Sequence, residues 1–116
     1  MEIQSLPVYN KTRQLYIQIQ ASTQKAPRNI RVNQLSVIEN MLIDIMEHIA
    51  FANAALENPG ERYRFISNAI GILHRVEIRV RILFDLNYIK KQGFNAIIKL
   101  ESEVARQLNG WAQKNK

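Results

Sequence analysis

The stretch Arg75–Ile82, RVEIRVRI, decides the fold. It alternates charged and apolar residues without a break, and each apolar member is Val or Ile. Read alone, this alternation predicts a β-strand, because strand side chains point to opposite faces with period two. At about 100° per residue in a helix, however, Val76 and Val80 fall on one side and Ile78 and Ile82 on roughly the opposite side. The two interpretations are separated by the flanking sequence.

Apolar residues on both sides of this stretch recur at spacings of three and four, the pattern of one buried helical stripe. The stripe runs unbroken through RVEIRVRI, so the sequence predicts a helix rather than a strand. Its members are Phe65, Ala69, Leu73, Val76, Val80 and Phe84. The apparent strand pattern is the sum of this stripe and a second one on the other side of the helix.

Breaks at Pro7, at residues 26–29, at residues 58–60 and at residues 92–93 divide the chain into four segments, each with helical apolar spacing. We predict helices over about 7–25, 30–57, 59–90 and 93–113, with Asn58 capping the third. Short connections favour antiparallel neighbours. The expected fold is therefore all-α: an antiparallel, up-down-up-down four-helix bundle that forms a single domain over residues 1–116.

The second stripe on the third helix is surplus to a monomeric bundle, which needs one apolar stripe per helix. A row of branched aliphatic residues along three turns more often marks an interface than a solvated surface. We therefore predict an oligomer interface at Ile78, Ile82, Leu86 and Ile89. The alternative is that these residues pack at the seams of a slightly wide bundle.

Basic residues outnumber acidic ones, 16 to 10, giving a net charge of +6 and a pI near 9.9. The excess is uneven: residues 30–56 hold one basic and three acidic residues, whereas residues 61–91 hold seven basic and three acidic residues. Such a basic region is compatible with nucleic acid as a partner, and arginine forks suit phosphate oxygens. The alternative is a solvated charged face, partly paired through Arg81 and Asp85. Because no aromatic residue is interleaved with the arginines, we expect backbone-directed, weakly sequence-specific binding.

Residue patterns for catalysis, metal binding or cofactor binding are missing from the sequence. It has no cysteine and no glycine-rich phosphate loop, and His48 and His74 stand on different predicted helices. We therefore predict a non-enzymatic protein with no metal and no cofactor. No apolar run approaches the roughly 18 residues of a membrane span, and the N-terminus lacks the features of a secretion signal. The expected location is the cytoplasm, with no membrane partner.

Four pieces of the sequence, in order, resemble one four-helix-bundle family: LPVYNKTRQLY at 6–16, HIAFANAA at 48–55, LHRVEIRVRILFDLNYI at 73–89 and ARQLNGWAQ at 105–113. The family includes the accessory variability determinant (Avd) proteins of diversity-generating retroelements and the proteins encoded in intervening sequences of bacterial 23S rRNA genes. The resemblance covers nearly the whole chain. Asn109 departs from the Leu-Gly-Gly-Trp ending that is common in the family. The Arg-Arg-Ala and Asn-Ile-Ala-Glu-Gly motif of the intervening-sequence branch is absent, which favours the Avd-like branch.

This resemblance implies a non-enzymatic accessory protein that forms a positively charged homopentamer and binds both a reverse transcriptase and nucleic acid, RNA or DNA. In that setting it would support mutagenic retrohoming. The implied nucleic-acid surface would include Arg75, Arg79, Arg81, Lys90 and Lys91, and the second stripe would supply subunit contacts. The alternative that remains open is a structural or protein-interaction bundle of the intervening-sequence type, with no retroelement role.

Overall fold

The computed structural model describes residues 2–116, and every regular element in that range is helical. The prediction of an all-α chain is confirmed, and the strand interpretation of RVEIRVRI is wrong, because this stretch lies inside the longest helix. A 3₁₀ turn at Ile3–Ser5 precedes five α-helical elements: α1 Pro7–Ser22, α2 Arg28–Ile30, α3 Ser36–Ala54, α4 Pro59–Asp85 and α5 Lys91–Lys114.

The second predicted helix is continuous in the structure but not uniform. The single turn α2 passes through a π-helical segment, Arg31–Leu35, directly into α3, and the backbone stays in the right-handed helical region throughout. It ends at Ala54 rather than near residue 57, and α1 ends at Ser22 rather than near residue 25. The helices exist where the apolar spacing predicts them, and the differences are confined to their ends.

The start of α4 follows directly from its sequence. The side chain of Asn58 accepts a hydrogen bond from the backbone N–H of Glu61 at 3.0 Å, and Pro59 occupies the first helical turn. This pairing satisfies one of the N–H groups that a helix start leaves without a partner. Arg62 also donates to the carbonyl of Ala52 at 2.9 Å, which ties the start of α4 to the end of α3. The predicted Asn58 cap is confirmed.

The end of α4 is a Schellman turn that the sequence prediction missed. Asn87 has a positive φ of 68°. The N–H of Asn87 donates to the carbonyl of Phe84, and the N–H of Tyr88 donates to the carbonyl of Leu83, both at 2.9 Å. Asparagine tolerates this left-handed conformation better than most residues and is a known helix-ending signal. The turn ends α4 at Asp85 instead of near residue 90.

Four long helices, α1, α3, α4 and α5, enclose the core. In the described part of the chain, α1 packs against α3 and α5, and α4 packs against the same two helices, so α1 and α4 lie across the core from each other. The α4 residues Leu73, Val76 and Val80 are fully buried there. Burying each such side chain contributes about 1.5–3 kcal/mol of hydrophobic free energy. No helix within residues 2–116 combines the length and apolarity needed to cross a bilayer.

Candidate nucleic-acid and subunit interface

The outer row of α4 consists of Ile78, Ile82 and Leu86, and all three side chains are exposed. Their exposed fractions are 62%, 49% and 58%. They occur at intervals of four residues, so they form one line on the side of the helix opposite Val76 and Val80. Within residues 2–116 the outer row is therefore not part of the hydrophobic core. Three branched aliphatic side chains exposed in a line are unusual for a solvated surface.

Ile89 does not belong to this row, although the sequence predicts it there. Its side chain is only 3% exposed and packs in the core. The helical spacing that placed Ile89 beside Leu86 holds only while the helix continues, and the Schellman turn at Asn87 redirects the chain before Ile89. Ile89 is therefore a core residue of the chain and not a member of the outer row.

The arginine edge, Arg75 and Arg79, borders the outer row at one-turn spacing. Arg75 is exposed and Arg79 partly exposed, and within residues 2–116 neither guanidinium has a carboxylate within ion-pair distance. Two arginines without acidic partners on one helix leave their N–H forks free for an external anion. This is the arrangement that suits phosphate oxygens.

Arg81 lies on the other flank of the outer row and is less free. Its Nε is 3.5 Å from a carboxylate oxygen of Asp85, as the i, i+4 spacing predicts, although both side chains remain mostly exposed. Its guanidinium also lies 5.6 Å from the ring centre of Phe94. Exposed ion pairs contribute at most about 1 kcal/mol, so Arg81 could exchange Asp85 for another anion at little cost.

Lys90 and Lys91 lie beyond the Schellman turn, where α5 begins, and are separated from the arginine edge by the end of α4. Both are exposed, and no side chain caps the start of α5. Lys90 and Lys25 line a cavity of about 560 Å³ at this end of the molecule, together with Ser22 and Gly93. The structure therefore divides the five predicted basic contacts into three on α4 and two at the start of α5.

An aromatic cluster at the junction of α3 and α4 was not predicted. The ring centres of Phe51 and Phe65 are 5.5 Å apart, and His48 lies 6.2 Å from each. The sequence pattern assigned Phe65 to the core, but it is only partly buried, and Phe51 is exposed. The His48 Nδ1 lies 2.8 Å from the carbonyl oxygen of Asp44, one helical turn earlier.

Glu101 is the second feature that sequence reasoning missed. It lies on α5 in the core with 3% of its surface exposed, and its Oε1 atom has no hydrogen-bond partner within residues 2–116. Burial, together with the negative charge of Glu77 on α4, raises the pKa of Glu101 to about 8. Its carboxyl group is therefore mostly protonated at neutral pH. The only available signal was its position on the apolar stripe between Ile97 and Val104.

The described residues contain no group of three or more metal-ligating side chains. His74 lies 3.8 Å from one carboxylate oxygen of Glu77, and each histidine is near a single acid. No family model matches the chain, and no curated protein matches it either.

Proposed function

We propose that this chain is a non-enzymatic, basic accessory protein that self-associates through the outer row of α4 and binds nucleic acid through the neighbouring arginines. The observation that carries the proposal is the juxtaposition on one helix side of Ile78, Ile82 and Leu86, all exposed, with the unpaired Arg75 and Arg79. A solvated monomer gains nothing from such an apolar line. An assembly would bury it and would bring several arginine edges together into one positive surface.

Gly71 supports an interface on this side of α4. It lies in the helix interior, in line with Ile78 on the outer side, and a Cβ atom added to it would meet no atom within 4 Å. A glycine in a helix interior costs about 1 kcal/mol relative to alanine. Nothing in the described residues 2–116 requires that cost, whereas a closely approaching second chain would.

The resemblance to Avd proteins supplies the finer parts of the proposal. We propose an up-down-up-down arrangement of the four long helices, assembly into a homopentamer, a cytoplasmic location and a reverse transcriptase as protein partner. The chain would then support mutagenic retrohoming in a diversity-generating retroelement. A reverse-transcriptase gene and a variable repeat next to the gene for this chain would support that role.

Salt-dependent binding tests the nucleic-acid part of the proposal. We expect fluorescence anisotropy with labelled single-stranded RNA and an RNA–DNA hybrid to show binding that weakens steeply with salt. The Arg75→Ala, Arg81→Ala double variant, which leaves Arg79 in place, should bind more weakly and show a shallower salt slope, by about 0.7–0.9 for each lost phosphate contact.

The matched control removes two exposed arginines elsewhere, Arg28→Ala with Arg106→Ala, and therefore has the same net charge. Equal losses in the two double variants would show that net charge alone drives binding, and the arginines that border the outer row would then not be the site. Absence of binding at micromolar protein, with the assembly intact, would instead favour the structural or protein-interaction alternative.

A further inference from the structure

A ring of more than two copies requires two different contact surfaces on each copy. Cyclic assemblies beyond the dimer are heterologous, so the outer row of one copy must meet another surface of the next. We infer that this second surface is the α1–α3 groove with its acidic rim, an inference that rests on the self-association proposed above. The groove and its rim are defined by Ile17, Glu39, Ile43, Met46 and Glu47.

The groove is lined mainly by aliphatic and aromatic side chains, and no part of residues 2–116 occupies it. It measures about 370 Å³ and is lined by Tyr9, Arg13, Tyr16, Ile17, Gln20, Ile43 and Met46. Ile17 on α1 and Ile43 on α3 are 47% and 41% exposed, so both walls offer a branched aliphatic side chain. A ridge of isoleucines packs well into a groove of this kind between two helices.

The charge of the groove complements the charge of the arginine edge. Residues 32–60, which include all of α3, contain four acidic residues and no lysine or arginine. On the rim, Glu47 is exposed one turn after Ile43, and Glu39 accepts a hydrogen bond from Gln20 across the groove at 2.7 Å. Arg79, which is only partly exposed, would meet Glu47 when the outer row enters the groove, whereas the exposed Arg75 would stay beside the contact and remain free for nucleic acid. Such complementarity fixes orientation and disfavours contact between two basic rows.

The α1 wall also carries Arg13, so the two walls differ in charge. The arginine edge of an incoming copy would therefore lie toward the α3 wall and away from Arg13. This asymmetry gives the contact one preferred orientation, and a ring in which every contact is the same requires a single orientation.

The position of the groove suits a closed ring. Because α4 packs on α3 and lies across the core from α1, the outer side of α4 faces away from α1, and the α1–α3 groove lies beyond α3, turned toward the opposite side of the molecule but not directly behind the outer row. Surfaces on opposite sides would add copies in a straight line, whereas surfaces at an angle turn each copy relative to the last. The lengths of the two surfaces are also similar. At 1.5 Å per residue, the row from Ile78 to Leu86 is about 12 Å long, and the α1 wall from Tyr9 to Gln20 is about 16 Å long.

Mixing two broken variants tests this inference. Ile78→Glu damages the row and leaves the groove intact, and Ile43→Glu damages the groove and leaves the row intact. We expect each variant alone to be monomeric in sedimentation velocity at about 100 μM, after circular dichroism shows that it is folded. An equimolar mixture should form a dimer near twice 13.5 kDa and nothing larger, because only one intact row and one intact groove remain.

The control is Ile98→Glu, since Ile98 on α5 has the same 41% exposure as Ile43 but lies on neither surface. It should assemble like the unmodified chain. Assembly of Ile43→Glu alone, with Ile78→Glu monomeric, would overturn the groove as the second surface while the self-association of the outer row stands. A monomeric unmodified chain would overturn both.

A charge exchange keeps the inference testable if either isoleucine variant fails to fold. Glu47→Arg and Arg79→Glu alone should each raise the concentration at half-assembly at least tenfold. The double variant that carries both changes should return to within about threefold of the unmodified chain. Additive losses in the double variant would show that Glu47 and Arg79 do not meet.

Discussion

The two sides of α4 carry the same kinds of residue in opposite environments. Leu73, Val76 and Val80 on the inner side are fully buried against α3 and α5, whereas Ile78, Ile82 and Leu86 on the outer side are about half exposed or more. Hydrophobicity alone does not separate the two sets. The inner set is continued by apolar residues at helical spacing along the whole helix, while the outer set is bordered by arginines. The inner and outer sides of α4 therefore differ in the neighbours of their apolar residues rather than in residue type.

Truncating one residue on each side should give the largest contrast. Leu73→Ala is expected to lower the free energy of unfolding by about 2–5 kcal/mol at every protein concentration, because it leaves a cavity in the core. Ile82→Ala should change the stability of the monomer by no more than about 0.5 kcal/mol and lower the apparent stability only at concentrations where the chain assembles. Urea unfolding at two protein concentrations measures both. A concentration-independent loss of several kcal/mol for Ile82→Ala would remove the distinction between the two sides.

Glu101 on α5 lies near Glu77, which stands between the inner and outer sides of α4. In the folded chain the pKa of Glu101 is about 8, above the ordinary value of 4.5. The protonated carboxyl group therefore makes its full contribution to the free energy of unfolding below about pH 4.5, and this contribution is lost as the pH rises to 8. The Glu101→Gln variant should not show this loss. At pH 9 its free energy of unfolding should be higher than that of the unmodified chain by on the order of 3 kcal/mol.

Glu77→Gln is the matched control for the Glu101 experiment. Without the negative charge of Glu77, the pKa of Glu101 should fall part of the way toward its ordinary value, because burial remains the larger cause. The pH at which stability is lost would move down accordingly. Identical pH profiles for the unmodified chain and Glu101→Gln would show that Glu101 ionises in the folded protein as it does in solution.

Gly71 gives the smallest expected effect and the one that separates folding from assembly most clearly. Gly71→Ala should raise the unfolding free energy of the monomer by about 0.5–1 kcal/mol, since alanine favours the helix and its Cβ meets nothing. The same change should weaken assembly if a second chain approaches Gly71 closely. Unfolding measured below the assembly concentration and sedimentation measured above it report the two effects. A Gly71→Ala variant that is more stable and also assembles more tightly would show that Gly71 does not lie in the interface.

The sequence predicted most of the fold because local patterns encode it. Spacing at three and four identified the inner side of α4, and the Asn58 cap with Pro59 located its start. The prediction failed at Ile89, because it extended helical spacing beyond Asn87, where a positive φ ends the helix. An asparagine near a helix end was the available signal.

The candidate surfaces were predictable only in part. The exposure of Ile78, Ile82 and Leu86 follows from the sequence, since their position opposite Val76 and Val80 depends on α4 alone. The α1–α3 groove, the Phe51 cluster and the partnerless Glu101 oxygen depend on how separate helices meet. No local sequence pattern specifies how separate helices pack together, so these features could be identified only from the structure.

The central claim, that the outer row of α4 is an assembly surface, is tested most directly by the mass of the protein in solution. Multi-angle light scattering at tens of micromolar should show a species near five times 13.5 kDa for the unmodified chain and 13.5 kDa for the Ile78→Glu variant. A mass of 13.5 kDa for the unmodified chain, or an assembly that Ile78→Glu leaves intact, would contradict the claim.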